Sequence, residues 1–178
     1  MKHNRKKQRE LAREYLANQR KNGNSMEGNI IGYFDGACEP KNPGGNMGIG
    51  ACIRRAGEEI FSTSQFVNEH FRNSNNVAEY MAFESILDYM LVQYWQGLTI
   101  TIYGDSNLVI EQQFGTWKIK QGFYVEYAQR CKKKIEMLKE RNMKIAGIWI
   151  PRAQNKYADE LSKAELIKNN VQFQIQPL

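Results

Sequence analysis

"GYFDGACEPKNPGGNMGIGACIRR" (residues 32–55) carries an apolar run to Asp35 and Gly36, breaks into a stretch rich in Gly, Pro and Asn, and then becomes apolar again. Two apolar runs divided by Pro43-Gly44-Gly45 read as two strands joined by a turn. The strands are "NIIGYFDGA" and "MGIGACIRR", and a third, "EEIFSTSQFV", follows across Ala56-Gly57. Links this short imply an antiparallel meander. Asp35 then stands at the end of the first strand, with a residue lacking a side chain directly after it.

Working outward from the meander, the period changes. In "NNVAEYMAFESILDYMLVQYW" the apolar residues Val77, Tyr80, Met81, Ile86, Leu87, Met90, Leu91 and Tyr94 recur near 3.6 residues, which predicts a long amphipathic helix. "LTITIYG" is a fourth strand rich in β-branched residues, and a short helix over "SNLVIEQQF" follows it. Beyond "GTWKIKQGF" a helical run extends to about Arg141, then strand "KIAGIWI" and helix "NKYADELSKAELI". Helices follow the later strands, so those strands should be parallel, with the meander extending one edge of a mixed sheet. The class is α/β.

Composition agrees with one compact domain. A chain of 178 residues, 42% apolar and 25% charged, is of a size that buries roughly 70% of its unfolded surface. No uncharged apolar run approaches the roughly 18 residues that a membrane span requires. The basic start "MKHNRKKQRELAREYL" leads into no apolar segment, so it does not read as a secretory signal, and the cytoplasm is the expected compartment. Cys38, Cys52 and Cys131 are odd in number and widely spaced, which predicts reduced thiols. The net charge of +6 is concentrated: residues 1–26 hold eight basic and two acidic residues, while the rest of the chain holds 17 of each. This arm reads as a short amphipathic helix with Leu11, Tyr15 and Leu16 on one face, or as a solvated tail. The expected division is a basic arm and linker over 1–28, a folded domain over 29–169 and a tail over 170–178.

Four acids occupy comparable places in this pattern. Asp35 ends the first strand, Glu79 opens the long helix, Asp105 follows the fourth strand, and Asp159 lies early in the last helix. Each has a plainer reading alone. Asp35 could be a turn residue; Glu79, three after Asn76, fits a capping box; Asp105 could cap the helix after it; Asp159 could face solvent. Together they fall where ligand sites form in α/β folds, at strand ends and helix starts along one sheet edge. Gathered carboxylates repel one another and imply bound cations or raised pKa values. An all-oxygen set favours a hard ion such as Mg²⁺ or Mn²⁺.

"YFDGACEPKNPGG", "SNNVAEYMAFESIL", "TIYGDSNLVIEQ" and "PRAQNKYADELS" resemble, in order and context, the four acidic motifs of type 1 ribonuclease H, over about residues 29–169. The resemblance implies a ribonuclease H-like fold, a five-stranded mixed sheet of order 3-2-1-4-5 flanked by helices. It implies hydrolysis of the RNA strand of RNA/DNA hybrids with two Mg²⁺ ions, Mn²⁺ as a substitute, leaving 5′-phosphate ends. By the same resemblance Asp35 is the ligand shared by both ions, Glu79 and Asp105 complete the site, and Asp159 binds on the nucleophile side. Gly36 would let the backbone approach the ribose. Backbone groups of Gly36 and Cys38, with Asn75 and Asn107, would recognise the 2′-hydroxyl. Asn76 would face the DNA strand and Ser74 a DNA phosphate, the plainer reading of Asn75 and Asn76 being helix capping. Trp117, Lys118 and Lys120 would receive the DNA backbone, against the reading of a core tryptophan beside two solvated lysines.

The chain departs from the familiar pattern twice. Val77 stands where many members carry an arginine that grips DNA phosphate, and no histidine precedes the last Asp. "WIPRAQN" instead matches a subgroup with Pro-Arg at that place, which makes Arg152 a candidate for contact with the scissile phosphate or the product. Double-stranded RNA is a further candidate substrate, and a monomer is expected. The alternatives are another metal-dependent nuclease on the same fold, acting on duplex RNA or DNA, or a non-catalytic hybrid-binding module. The four acids weigh against a pure binder, since concentrated negative charge repels phosphate.

Overall fold

The computed structural model describes residues 30–174. The basic arm therefore lies outside the described residues, as does the end of the C-terminal tail. In chain order the elements are β1 (Ile30–Glu39), β2 (Asn46–Arg55), β3 (Glu58–Val67), α1 (Asn75–Val92), β4 (Thr99–Gly104), α2 (Asn107–Gln113), α3 (Val125–Glu140), β5 (Lys144–Trp149) and α4 (Lys156–Lys168). A short 3₁₀ turn, Arg152–Gln154, leads into α4. One five-stranded sheet has the order β3-β2-β1-β4-β5, as expected. β1 pairs antiparallel with β2, β2 antiparallel with β3, and β4 parallel with both β1 and β5.

Register decides where the sheet opens. β1 stays paired with β2 along its whole length, from Ile30↔Arg55 to Glu39↔Asn46. Its parallel pairing with β4 stops at Phe34↔Gly104. Asp35 is thus the first β1 residue beyond the parallel pairing, inside the strand and not at its end as the sequence implied. The strand runs on because the antiparallel ladder with β2 satisfies its backbone after β4 has turned away.

Alternation along β1 assigns its faces. Phe34 and Gly36 point to α1, with the Phe34 ring edge-on to Phe83 at 5.4 Å between centroids. Asp35 points to the opposite face, where α4 packs on β1, β2 and β3. The core lies mainly between the sheet, α1 and α3, and includes Phe34, Ile49, Ile53, Tyr80, Phe83, Ile86, Ile100, Ile102 and Leu138. Truncating a ring such as Phe83 in this layer should cost about 3–5 kcal/mol.

α1 differs from expectation at both ends. Its N-cap is Ser74, whose hydroxyl accepts the Val77 N–H at 3.2 Å, so neither Asn75 nor Asn76 caps it. The buried stripe ends at Met90, and Tyr94, expected on that stripe, lies past the helix with φ 53° and is 80% exposed. Placing the cap at Ser74 moves Glu79 out of the first turn, which removes the capping-box reading.

Cys38, Cys52 and Cys131 are free thiols and buried. No helix among the described residues is long and apolar enough to cross a membrane.

Candidate active site

The four acids come from four different elements and meet at the edge where β1 outruns β4. Asp35 is delivered by β1, Glu79 by the second turn of α1, Asp105 by the segment between β4 and α2, and Asp159 by the first turn of α4. Each carboxylate has its own donor. The Ser162 hydroxyl donates to Asp35 Oδ2 at 2.5 Å, and the Ser106 hydroxyl makes a short bond to Glu79 Oε2. The Asn155 amide donates to Asp105 Oδ1 at 2.7 Å. Asp159 is clasped by two cations, with Arg152 on Oδ1 (Nε at 2.9 Å, Nη2 at 2.5 Å) and Lys163 Nζ on Oδ2 at 2.6 Å.

These partners divide the acids electrostatically. Burial pushes the Asp35 carboxyl up to about 7, with Asp105 and Asp159 adding to the rise and Ser162 and Arg152 opposing it. Burial likewise pushes Glu79 up to about 8, reinforced by Asp35 and Asp105 and opposed by Ser106. Burial would also raise Asp159, but Lys163 and Arg152 outweigh it and hold that carboxyl below the ordinary range. For the first pair the hydroxyls of Ser162 and Ser106, and the charge of Arg152 near Asp35, do not make up for removal from water.

The donor set fits a hard divalent cation. All four groups offer oxygen, Asp35 and Glu79 are raised by burial and by neighbouring carboxylates, and a dication would relieve that repulsion. Among the described residues no three acidic, histidine or cysteine side chains are already gathered closely enough to hold an ion. Each carboxylate is hydrogen-bonded to its own donor instead. One more buried group belongs to this site. Asn155 is only 1% exposed, its Nδ2 donates both to Phe34 O (2.9 Å) and to Asp105 Oδ1, and its Oδ1 has no hydrogen-bond partner.

Two of the plainer readings of the acids fail on geometry. Asp105 does not cap α2, because Ser106 is the N-cap and accepts the Val109 N–H. Asp159 is not a solvated helix residue, being 18% exposed and doubly ion-paired.

Gly36 has a cause that the sequence did not disclose. A Cβ there would lie 2.3 Å from the Ala78 carbonyl carbon and from Glu79 N, so glycine is what lets the start of α1 press on β1 and bring Glu79 beside Asp35. The glycine expected to let the backbone approach a ribose also makes room for a helix.

The Cys38 N–H is also committed, donating to Asn75 Oδ1 at 2.7 Å, while its thiol contacts the Lys41 carbonyl. That bond leaves the Asn75 amide protons pointing elsewhere. Asn76 is exposed on the first turn of α1, and Asn107 is half-buried at the first position of α2. Trp117 is 42% exposed, which excludes a core tryptophan. With Lys118, Lys120, Leu108, Gln112 and Tyr124 it lines a cavity of about 400 Å³. A second cavity, of about 410 Å³, is lined by Val77, Arg72, Asn73, His70 and Phe123. Arg72, from the loop before α1, thus lines the same cavity as Val77.

Sequence reasoning missed Ser106, Asn155, Ser162 and Lys163. Spacing could have pointed to two of them: Ser106 follows Asp105 directly, and Lys163 lies one helical turn after Asp159.

The RNase H family model matches residues 27–167. The N-terminal RNase H domain of Rv2228c from Mycobacterium tuberculosis, solved as a fusion with maltose-binding protein, is 26% identical with a TM-score of 0.65, over 76% of this chain and 97% of that one. LC11-RNase H1, solved in complex with an RNA/DNA hybrid, is 28% identical with a TM-score of 0.68, over 79% of this chain and 99% of that one. The bifunctional protein Rv2228c of M. tuberculosis is 37% identical over 93 residues, which is 51% of this chain and 23% of that protein. The match thus spans about a quarter of the length of that curated relative. With the sheet order, the four acids on one edge and most of the chain matched, this protein belongs to the RNase H family.

Proposed function

We propose that the chain is an endoribonuclease that hydrolyses the RNA strand of RNA/DNA hybrids, leaving 5′-phosphate ends, with two divalent ions held by Asp35, Glu79, Asp105 and Asp159. The observation that carries this reading is the convergence of those four carboxylates where β1 outruns β4, in a chain of this family. When bound, a pair of Mg²⁺ ions, or Mn²⁺ in their place, supplies a polarised scissile phosphate and an acidified attacking water.

The rest is done by the protein's own groups. Asp35, the most buried of the four, would be a ligand to the ions. Glu79 and Asp105 flank it, each held in one rotamer by Ser106 or Asn155. Asp159, clasped by Arg152 and Lys163, stays ionised at neutral pH and would be the ligand on the nucleophile side. Arg152, mostly exposed, can swing from Asp159 to the scissile phosphate or the departing product.

Recognition of RNA is assigned to the 2′-hydroxyl, approached by the free amide protons of Asn75, by Asn107 and by the backbone around Gly36 and Cys38. The DNA strand is assigned to Asn76, the hydroxyl proton of Ser74, and the exposed Trp117, Lys118 and Lys120. Arg72 joins them as the cation lining the same cavity as Val77. A basic arm over residues 1–26 adds affinity for phosphate without reading sequence.

A matched set of end-labelled duplexes tests this reading: RNA/DNA hybrid, RNA/RNA and DNA/DNA of one sequence, each with Mg²⁺, with Mn²⁺ and with chelator. The expected result is internal cuts in the RNA of the hybrid, an intact DNA strand, and no cutting with chelator. Cutting of double-stranded RNA alongside the hybrid would extend the substrate range. Binding of hybrid without any cleavage would replace the nuclease with a binding module.

A further inference from the structure

Ser162 sits on the face of α4 that meets the sheet, and it is wholly buried. Its Oγ is 2.5 Å from Asp35 Oδ2 and 2.9 Å from the backbone carbonyl of Asp159, three residues earlier in the helix. A hydroxyl has one proton to donate, so these two acceptors compete for it. A serine inside a helix ordinarily turns its proton back onto the preceding turn. When Asp35 is ionised, as a cation ligand must be, a charged acceptor is also in reach, and it makes a hydrogen bond roughly twice as strong as a neutral one. The proton therefore goes to Asp35.

The seat for this contact is built across three strands. Asp35 on β1 is the register partner of Gly50 on β2, and Gly50 is the register partner of Ser64 on β3. All three meet α4 at the same two residues. A Cβ on Gly50 would lie 2.3 Å from Ser162 N, and one on the neighbouring Gly48 would lie 1.7 Å from the Ser162 carbonyl oxygen. Ser64 Oγ donates to the Leu161 carbonyl at 2.6 Å. The "GIG" of residues 48–50 thus lets the helix backbone lie against β2, and the Ser64 hydroxyl ties it there. Without this close approach the Ser162 side chain would not span the gap to β1.

We propose that Ser162 is a positioning residue for the metal site: by donating to Oδ2 it sets the rotation of the Asp35 carboxylate and leaves the remaining lone pairs for cations. This rests on the reading of Asp35 as a metal ligand.

The test is Mn²⁺ binding to the protein without nucleic acid, followed by calorimetry or by the electron paramagnetic resonance of free Mn²⁺. Wild type, Asp35→Asn, Ser162→Ala and Ser64→Ala are compared, with the melting temperature of each metal-free protein. Alanine is smaller than serine and the better helix former, so α4 is retained in Ser162→Ala. Ser162→Ala should weaken Mn²⁺ by about 10-fold or more, the usual cost of losing a group that orients a ligand. Ser64→Ala should lower the melting temperature and leave Mn²⁺ affinity within about twofold, since its hydroxyl holds the helix and not the carboxylate. If Ser162→Ala binds Mn²⁺ as wild type does while Asp35→Asn does not, Ser162 only packs the helix and the proposal fails alone. Affinity losses that follow the melting temperature equally in both serine variants would overturn it too. Equal binding by wild type and Asp35→Asn would overturn both this proposal and the reading of Asp35 beneath it.

Discussion

Asp35 and Glu79 on one side, and Asp159 on the other, are carboxylates of one sheet edge held in opposite ways. The first two lie deep and receive hydrogen bonds from neutral serine hydroxyls, and burial raises both into the neutral range. Asp159 lies nearer the rim between Arg152 and Lys163, which overcome its burial and keep it strongly acidic. The difference shows that proximity of acids alone does not set their charge; burial raises all three, and only cationic partners outweigh it. The deep pair is left with a demand for positive charge that the protein itself does not meet. The rim acid carries its own cations, which must give way if an ion is to share it.

The largest effect expected from disturbing this arrangement is that of Asp35→Asn. Cleavage of hybrid should fall by more than the roughly 100-fold that loss of an outer-shell partner costs, while circular dichroism and hybrid binding stay near wild type. Single-turnover kinetics would check it, and near-normal turnover would remove Asp35 from the reaction.

Next in size is Asn155→Ala. The amide bridges Phe34 O and Asp105 Oδ1 inside the protein, so its loss strands two buried acceptors. We expect destabilisation of about 1–3 kcal/mol together with a rate loss of roughly 10–100-fold. Urea unfolding and turnover measured on the same preparation would separate an effect on the site from one on the fold.

The deep pair also predicts a pH dependence of the metal-free protein. The folded-state values of about 7 for Asp35 and about 8 for Glu79 lie above those of ordinary carboxyls. Folding therefore favours the protonated forms, and this contribution is fully present below the ordinary carboxyl pKa and lost as pH rises through 7 and 8. Melting temperature in chelator should fall from pH 5 to pH 9, less steeply for Glu79→Gln, and Mg²⁺ should restore most at the alkaline end. A slope in Glu79→Gln equal to wild type would place the charge stress elsewhere.

The rim should respond least. Arg152 is 67% exposed, so its ion pair with Asp159 contributes at most about 1 kcal/mol to stability. Arg152→Ala should leave melting within a few degrees and lower kcat more than it weakens hybrid binding, the mark of a contact made as the reaction proceeds. Unchanged rate and affinity would make it a surface residue.

The comparison also explains what could be read from the sequence. The four acids were legible because their motifs combine an acid with a change of period, from two to 3.6, that places it at a sheet edge; the strand order came with the family resemblance that those motifs carry. β3 could be bounded by its flanking turns, and the structure gives it the same limits, Glu58–Val67. The donors were hidden because Ser106, Asn155 and Ser162 are neutral residues whose commonest helical roles are capping and back-bonding. Asn155 occupies the N-cap of α4 yet makes no capping bond, its side chain being turned to Phe34 and Asp105. Gly36 was read for a ligand because the helix that needs it is about 40 residues away in sequence. Only the folded chain brings Ala78 and Glu79 over it.

The most direct test of the account is the count of protons released when the metal-free protein binds Mg²⁺ or Mn²⁺, obtained by calorimetry at one pH in buffers of different ionisation enthalpy. If Asp35 and Glu79 are the protonated, cation-demanding half of one metal site, binding near pH 7 must displace protons. The release should shrink above about pH 9 and drop in Glu79→Gln. Metal binding with no proton release between pH 6 and pH 8 would contradict the account.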